Sequence, residues 1–236
     1  MTTPLRRLGL VHTSATLVPA FEQLCRERLP GVAVFNLVDD SLIKDVIAHG
    51  RLRPATARRV VQHVAAAEAA GADTILVTCS SIGRAVETAA TLVDVPVIRV
   101  DRAMAERAVA TGRRVGVIAT LPTTLDPTAD LIGRCAAAAG REVAITARLC
   151  DGAFDALMAG DAATHDARVA AALEELATEV DVIALAQASM ARVVEALPPN
   201  PHRPPILASP PLAIDRLAAE FAAAASTTKE GSCPTC

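Results

Sequence analysis

The sequence predicts an α/β fold of two pseudo-twofold-related lobes, each a parallel four-stranded sheet flanked by helices, with an active-site cleft between them. Three observations predict it. Short apolar runs that barely alternate recur eight times, Ala-rich stretches with helical spacing separate them, and the second half of the chain repeats the first. Near-continuous apolar runs are what strands buried on both faces of a parallel sheet require, and their alternation with helices marks βα units.

In chain order the apolar runs are LGLVH, VAVFNLV, TILVT and VIRV, then VGVIAT, VAITARL, VIALA and PILAS. TLVPAFEQLCRERL, ARRVVQHVAAAEAAG, SSIGRAVETAATL and LATEV carry helical spacing or strong helix formers, and Gly or Pro punctuates their ends. RRLGLVHTSAT (6–16) lies over RRVGVIATLPT (113–123), VAVFNLVDD (32–40) over VAITARLCD (143–151) and VPVIRV (95–100) over PPILAS (204–209). ADTILVTCSSIGRAVE (72–87) lies over VDVIALAQASMARVVE (180–195), matching Asp73 to Asp181, Ser81 to Ser189, Arg84 to Arg192 and Glu87 to Glu195. The offset stays near 107–111 residues through all four elements, which a chance match would not do. Two copies are too few for a solenoid, so the expected packing is a pair of lobes. Residues 1–99 with 209–236 form the N-terminal α/β lobe and residues 100–208 the C-terminal one. The loops at the carboxyl ends of the strands should face the cleft, where open α/β sheets bind ligands.

At 236 residues and 52% hydrophobic the chain can bury a sizeable core, which excludes a disordered protein. A net charge of −3 with interspersed signs and 2% aromatic residues leaves neither a basic stripe nor a stacking platform, which argues against nucleic acid. No apolar run reaches the ~18 residues of a membrane span, and MTTPLRRLGLVH is too short in apolar residues for a signal peptide. The expected location is the cytoplasm, where the six cysteines stay thiols. Neither GxGxxG nor a Walker loop occurs, and Lys44 and Lys229 are the only lysines, so no nucleotide or pyridoxal cofactor is implied. The histidines lack metal-ligand spacing, and no metal is expected.

Cys79 ends an apolar run and is followed by Ser80 and Ser81, which suit a helix N-cap. A helix start lowers a thiol pKa and gathers anions, so the position suits a thiolate beside a carboxylate. A small buried hydrophobe is the competing reading. By the repeat, Cys79 corresponds to Gln187, and the two side chains should approach one ligand from opposite sides. Thr13 and Ser14 after the first strand, with Thr120 as counterpart of Thr13, are candidate binders. Asp40 and its counterpart Asp151 fall at the ends of the second strands, where capping the next helix competes with lining the cleft. His165 beside Asp166 is a candidate base able to titrate near neutral pH, against a helix-start histidine. Cys25, Cys135 and Cys150 read as core, and Cys233 and Cys236 as a frayed tail.

The strand-end TCSS at 78–81, its partner AQASM at 186–190, the Thr-bearing loops after the first strand of each half and GAFDALMAGDAATHD at 152–166 resemble the aspartate/glutamate/hydantoin racemase superfamily. The resemblance covers nearly the whole chain. It implies a cofactor-independent enzyme acting at the carbon next to the carboxylate of a small acid. The superfamily's racemases use one cysteine from each lobe, one removing a proton and the other returning one on the opposite face. This chain departs from that pattern: Gln187 stands where the second cysteine is expected, and a carboxamide does not shuttle protons at neutral pH.

The layout is also similar to maleate isomerases, and to arylmalonate decarboxylases; the decarboxylases carry their lone cysteine in the second lobe, whereas here it is in the first. The expected function is therefore racemase or isomerase chemistry with Cys79 as acid/base and His165 as alternative second base. The rival is decarboxylation with one-sided protonation by Cys79. A different class is a small-carboxylate binder without turnover. Ser80, Ser81, Thr120, Gln187, Ala188 and Ser189 would hold the carboxylate, and the resemblance further implies a homo-oligomer.

Overall fold

A computed structural model describes residues 6–230. All eight apolar runs are strands: β1 Arg7–His12, β2 Ala33–Val38, β3 Thr74–Val77, β4 Val97–Arg99, β5 Arg114–Ala119, β6 Ala144–Leu149, β7 Val182–Leu185 and β8 Ile206–Ala208. They form two parallel sheets of the same order, β2-β1-β3-β4 and β6-β5-β7-β8. In each sheet the order reverses between the first and third strands, which places a topological switch point at the β1/β3 and β5/β7 carboxyl ends.

The connecting helices are α1 Val18–Arg28, α2 Ser41–His49, α3 Pro54–Ala69, α4 Gly83–Ala89 and α5 Arg102–Thr111. The second half adds α6 Pro122–Ala138, α7 Ala153–Met158, α8 Ala162–Ala177, α9 Ala191–Ala196 and α10 Ser209–Glu230. Prolines at the starts of α1, α3 and α6 suit the first helical turn, whose N–H groups have no intrahelical partner. On α3, Val60, Val64 and Ala67 recur at helical spacing and are buried. LATEV is the end of α8 and the turn before β7 rather than a helix of its own, because only two of its residues fall within the helix.

Each sheet is covered on both faces. Val11, Ile75 and Val77 pack against α2, α3 and α4, while Leu8, Leu10 and Leu76 pack against Phe21 and Cys25 of α1 and Ile214 and Leu217 of α10. In the second sheet Val115, Val117 and Val182 meet α5 and α6, and Ile118, Ile183 and Leu185 meet α8 and α9. The helix after β4 thus packs on the second sheet and the helix after β8 on the first, so the halves exchange helices.

Several repeated residues have the same job twice. Asp73 accepts from the Arg7 N–H at 2.7 Å, and Asp181 from the Arg114 N–H at 2.8 Å. Gly9 and Gly116 lie where a helix crosses the first strand of each sheet. A β-carbon at Gly9 would stand 3.1 Å from the Phe35 ring, and one at Gly116 only 2.7 Å from Leu176. No helix among the described residues is long and apolar enough to cross a membrane. Cys233 and Cys236 lie outside the described residues.

Candidate active site

The β1/β3 switch point gathers Thr13, Cys79, Ser80 and Ser81. Cys79 is extended (φ −133°, ψ 119°), and Ser80–Ile82 form a single 3-10 turn before α4. Neither serine caps α4 through its side chain. The helix begins only at Gly83, so Ser80 and Ser81 belong to the turn instead. Cys79 is half-buried, whereas Thr13, Ser80 and Ser81 are buried. Burial pushes the Cys79 thiol above its usual range. Hydrogen bonds from the Thr13 hydroxyl, the Ser81 and Ile82 N–H groups and the Ser81 hydroxyl oppose that rise, since all of them favour a thiolate.

The second lobe reaches into this cluster. Ser81 Oγ lies 3.0 Å from Thr124 Oγ1, on the first turn of α6. Thr124 escapes sequence reading; its one signal is its place four residues beyond Thr120 at a helix start.

At the β5/β7 switch point Gln187 repeats the geometry of Cys79, with φ −128° and ψ 133°, and Ala188–Met190 form the matching turn. Its Oε1 accepts the Thr120 N–H at 2.5 Å and the Thr120 hydroxyl at 3.0 Å. The two threonines therefore serve the two strand-end side chains in the same way, one holding a thiol and the other a carboxamide oxygen. Gln187 and Ala188 are half-buried and Ser189 is exposed, unlike its buried counterpart Ser81.

His165 lies on the first turn of α8 and is fully buried. Its Nδ1 is 2.7 Å from Asp166 Oδ1, which also takes Arg192 Nη2 at 2.7 Å, and its Nε2 is buried without a partner. His12 is buried between Asn36 and Thr78, 3.0 and 2.9 Å away, and burial, partly offset by Asn36 and Glu22, lowers its pKa. The ring thus ties the end of β1 to Asn36 within β2 and to Thr78 just after β3.

Ser14 bonds Thr16 at 2.7 Å. Asp40 is exposed and paired with Lys44 at 2.5 Å, without capping α2 through its side chain. Its neighbour Asp39, which the sequence did not single out, is the connected one. It accepts from Ser41 N–H and hydroxyl at 3.1 and 2.6 Å, from Arg59 at 2.5 Å and from His63 at 2.7 Å. Burial alone would raise the Asp39 carboxyl, but the Ser41 and His63 hydrogen bonds and the Arg59 charge bring it down to about 2. Asp151 is exposed, and its backbone carbonyl accepts from Arg168.

Cys25, Cys135 and Cys150 are buried, and burial raises each thiol, to about 11 at Cys25 and Cys150. Burial of this kind disfavours the thiolate. Among the described residues no group of three His, Cys, Asp or Glu side chains could hold a metal. Cavities of about 360 and 390 Å³ lie beside β4, α4, α5 and α10, and between α3 and α4, and Cys79 lines neither.

A family model described as Asp/Glu/hydantoin racemase matches residues 8–217. A glutamate racemase from Bacillus anthracis superposes over 93% of this chain and 82% of its own, with a TM-score of 0.69 at 15% identity. Glutamate racemase from Thermus thermophilus, crystallised with β-chloro-D-alanine, covers 95% of this chain and 83% of its own (TM-score 0.68, 19% identity). Allantoin racemase from Klebsiella pneumoniae covers 93% and 89% (TM-score 0.62, 17% identity). At such identities the likeness speaks for the fold alone. A comparison with curated proteins finds no match.

Proposed function

The chain belongs to the Asp/Glu/hydantoin racemase family, and on that premise we propose that it is an enzyme of isomerase type. It acts without a cofactor at the carbon next to the carboxylate of a small acid, with Cys79 as the acid/base. The observation that carries this reading is the place of Cys79 at the β1/β3 switch point, together with the buried Thr13, Ser80 and Ser81. Donors that favour a thiolate serve a sulfur that must gain and lose a proton during turnover. Thr13, Ser14, Ser80, Ser81, Thr120, Gln187, Ala188 and Ser189 are the proposed carboxylate binders, with Asp40 at the rim.

Full isomerisation needs a second base, and His165 is the proposed one. With Nδ1–H donating to Asp166, the lone pair stays on the unpartnered Nε2.

A second reading, decarboxylation followed by protonation on one face, is favoured by two observations. The Gln187 oxygen is already taken by Thr120, so nothing at that position moves a proton. Burial pushes the Cys79 thiol up, the direction that suits a proton donor. Once carbon dioxide leaves, the enediolate would take the Cys79 proton.

Proton NMR in deuterium oxide tests both, using wild type and Cys79→Ala with a panel of amino acids, hydroxy acids, hydantoins and substituted malonates. Cys79-dependent deuterium at the α-carbon without loss of a carboxyl group supports the isomerase. Deuterium appearing only after a carboxyl group is lost supports the lyase. Tight small-carboxylate binding without exchange across the panel sinks both and leaves a binder.

A further inference from the structure

The lobes differ most in what stands behind the turn after the third strand. Val77 pairs with Arg99 and Leu185 with Ala208, so Arg99 and Ala208 are equivalent positions, each level with the residue two before Cys79 or Gln187. The Arg99 side chain is 6% exposed. Its Nε and Nη2 donate to the two oxygens of the fully buried Asp101 at 2.9 and 2.7 Å, and its Nη1 donates to Glu87 at 2.6 Å. All three nitrogens are thereby fixed in one plane. That plane lies against Gly83, the first residue of α4, where a β-carbon would come within 2.2 Å of Arg99 Cζ. Glu87 also accepts from Arg134 of α6 at 2.8 Å, tying the assembly to the second lobe. At the matching positions the second lobe has Ala191 for Gly83, Ala208 for Arg99 and Pro210 for Asp101. None of these can rebuild the arrangement.

We propose that Arg99 is a positioning residue: locked by Asp101 and Glu87, its guanidinium braces Gly83 and so holds the Ser80–Ile82 turn that follows Cys79. The proposal rests on the reading of Cys79 as the reacting group. A buried ion pair costs desolvation and is weak evidence for stability, so its presence in the thiol lobe alone calls for another role. A planar, bidentate guanidinium can brace a backbone where the flexible, point-like ammonium of lysine cannot. The Ser81 and Ile82 N–H groups lie only two and one residues before Gly83, so movement there would spoil their aim at the sulfur.

The test is the pH dependence of Cys79 alkylation by iodoacetamide, followed by peptide mass mapping of the full chain, with thermal melts run alongside. Wild type, Arg99→Leu, Arg99→Lys, Gly83→Ala and the double variant Arg99→Leu/Gly83→Ala are compared where all are folded. Loss of the donors should move the Arg99→Leu midpoint up by about one pH unit, or roughly tenfold slower alkylation below it. Gly83→Ala should match it, Arg99→Lys should recover part of the shift, and the double variant should be no worse than either single one. Unchanged midpoints with lowered melting temperatures, or additive shifts in the double variant, would overturn the proposal by making Arg99 a stabilising residue only. A wild-type Cys79 that alkylates with the rate and midpoint of free cysteine would instead remove the reading of Cys79 itself.

Discussion

The turns Cys79–Ile82 and Gln187–Met190 follow equivalent strands with nearly the same backbone angles, and each strand-end side chain is met by the threonine that follows the first strand of its sheet. Around that shared frame almost everything else differs. The first turn is buried, bonded across the lobes to Thr124 and backed by Arg99; the second has an exposed serine and alanines behind it. Backbone geometry in the repeat is kept by strand register and close packing, which tolerate little change. The strand-end side chains, Cys79 in one copy and Gln187 in the other, are free of that constraint, and it is there that the copies have parted.

Substitutions at the strand ends test that division most strongly. Cys79→Ser keeps the shape but offers a hydroxyl that does not ionise near neutral pH, so kcat should fall by about a thousandfold, within the range of a lost acid/base group. Retained turnover would break the asymmetry. Gln187→Cys puts a second thiol beside Thr120. In deuterium oxide it should add label on the face opposite Cys79 and scramble a product that one-sided protonation leaves as a single enantiomer, as chiral chromatography would show.

Effects on stability are smaller. The Asp39 carboxyl, at about 2, lies below its unfolded value, so its contribution is complete above about pH 4 and is lost as pH falls through about 2. Asp39→Asn should cost about 2 kcal/mol at pH 7 and flatten urea stability between pH 4 and 2. Its equivalent in the second sheet's register is Cys150, which has no such acid dependence. The smallest expected contrast is between matched glycines. Gly116→Ala meets Leu176 at 2.7 Å and should cost about 1 kcal/mol more than Gly9→Ala, whose nearest neighbour is 3.1 Å away. Equal urea midpoints for the two variants would mean that Leu176 yields as easily as Phe35.

The fold was legible because strand burial and the repeat leave direct traces. Eight apolar runs gave eight strands, and Gly9, Gly116, Asp73 and Asp181 matched in sequence because each pair meets the same packing or backbone need. Cys79 and Gln187 were legible as a pair through the same repeat. What stayed hidden depends on contacts between distant segments. Thr124 matters through Ser81, Asp39 through Arg59 and His63, and Arg99 through Gly83 and Asp101. Sequence spacing drew attention to Asp40, yet the hydrogen bonds converge on Asp39, because which of two adjacent acids turns inward is set by α3, a separate element.

One measurement bears most directly on the claim that, of the two matched strand-end side chains, Cys79 and not Gln187 moves the proton: the rate of deuterium incorporation from solvent into a panel-identified substrate, compared between Cys79→Ala and Gln187→Ala. No incorporation above background is expected for Cys79→Ala, and for Gln187→Ala a raised KM with incorporation retained. Incorporation that survives the loss of Cys79 and vanishes with the loss of Gln187 would contradict that claim.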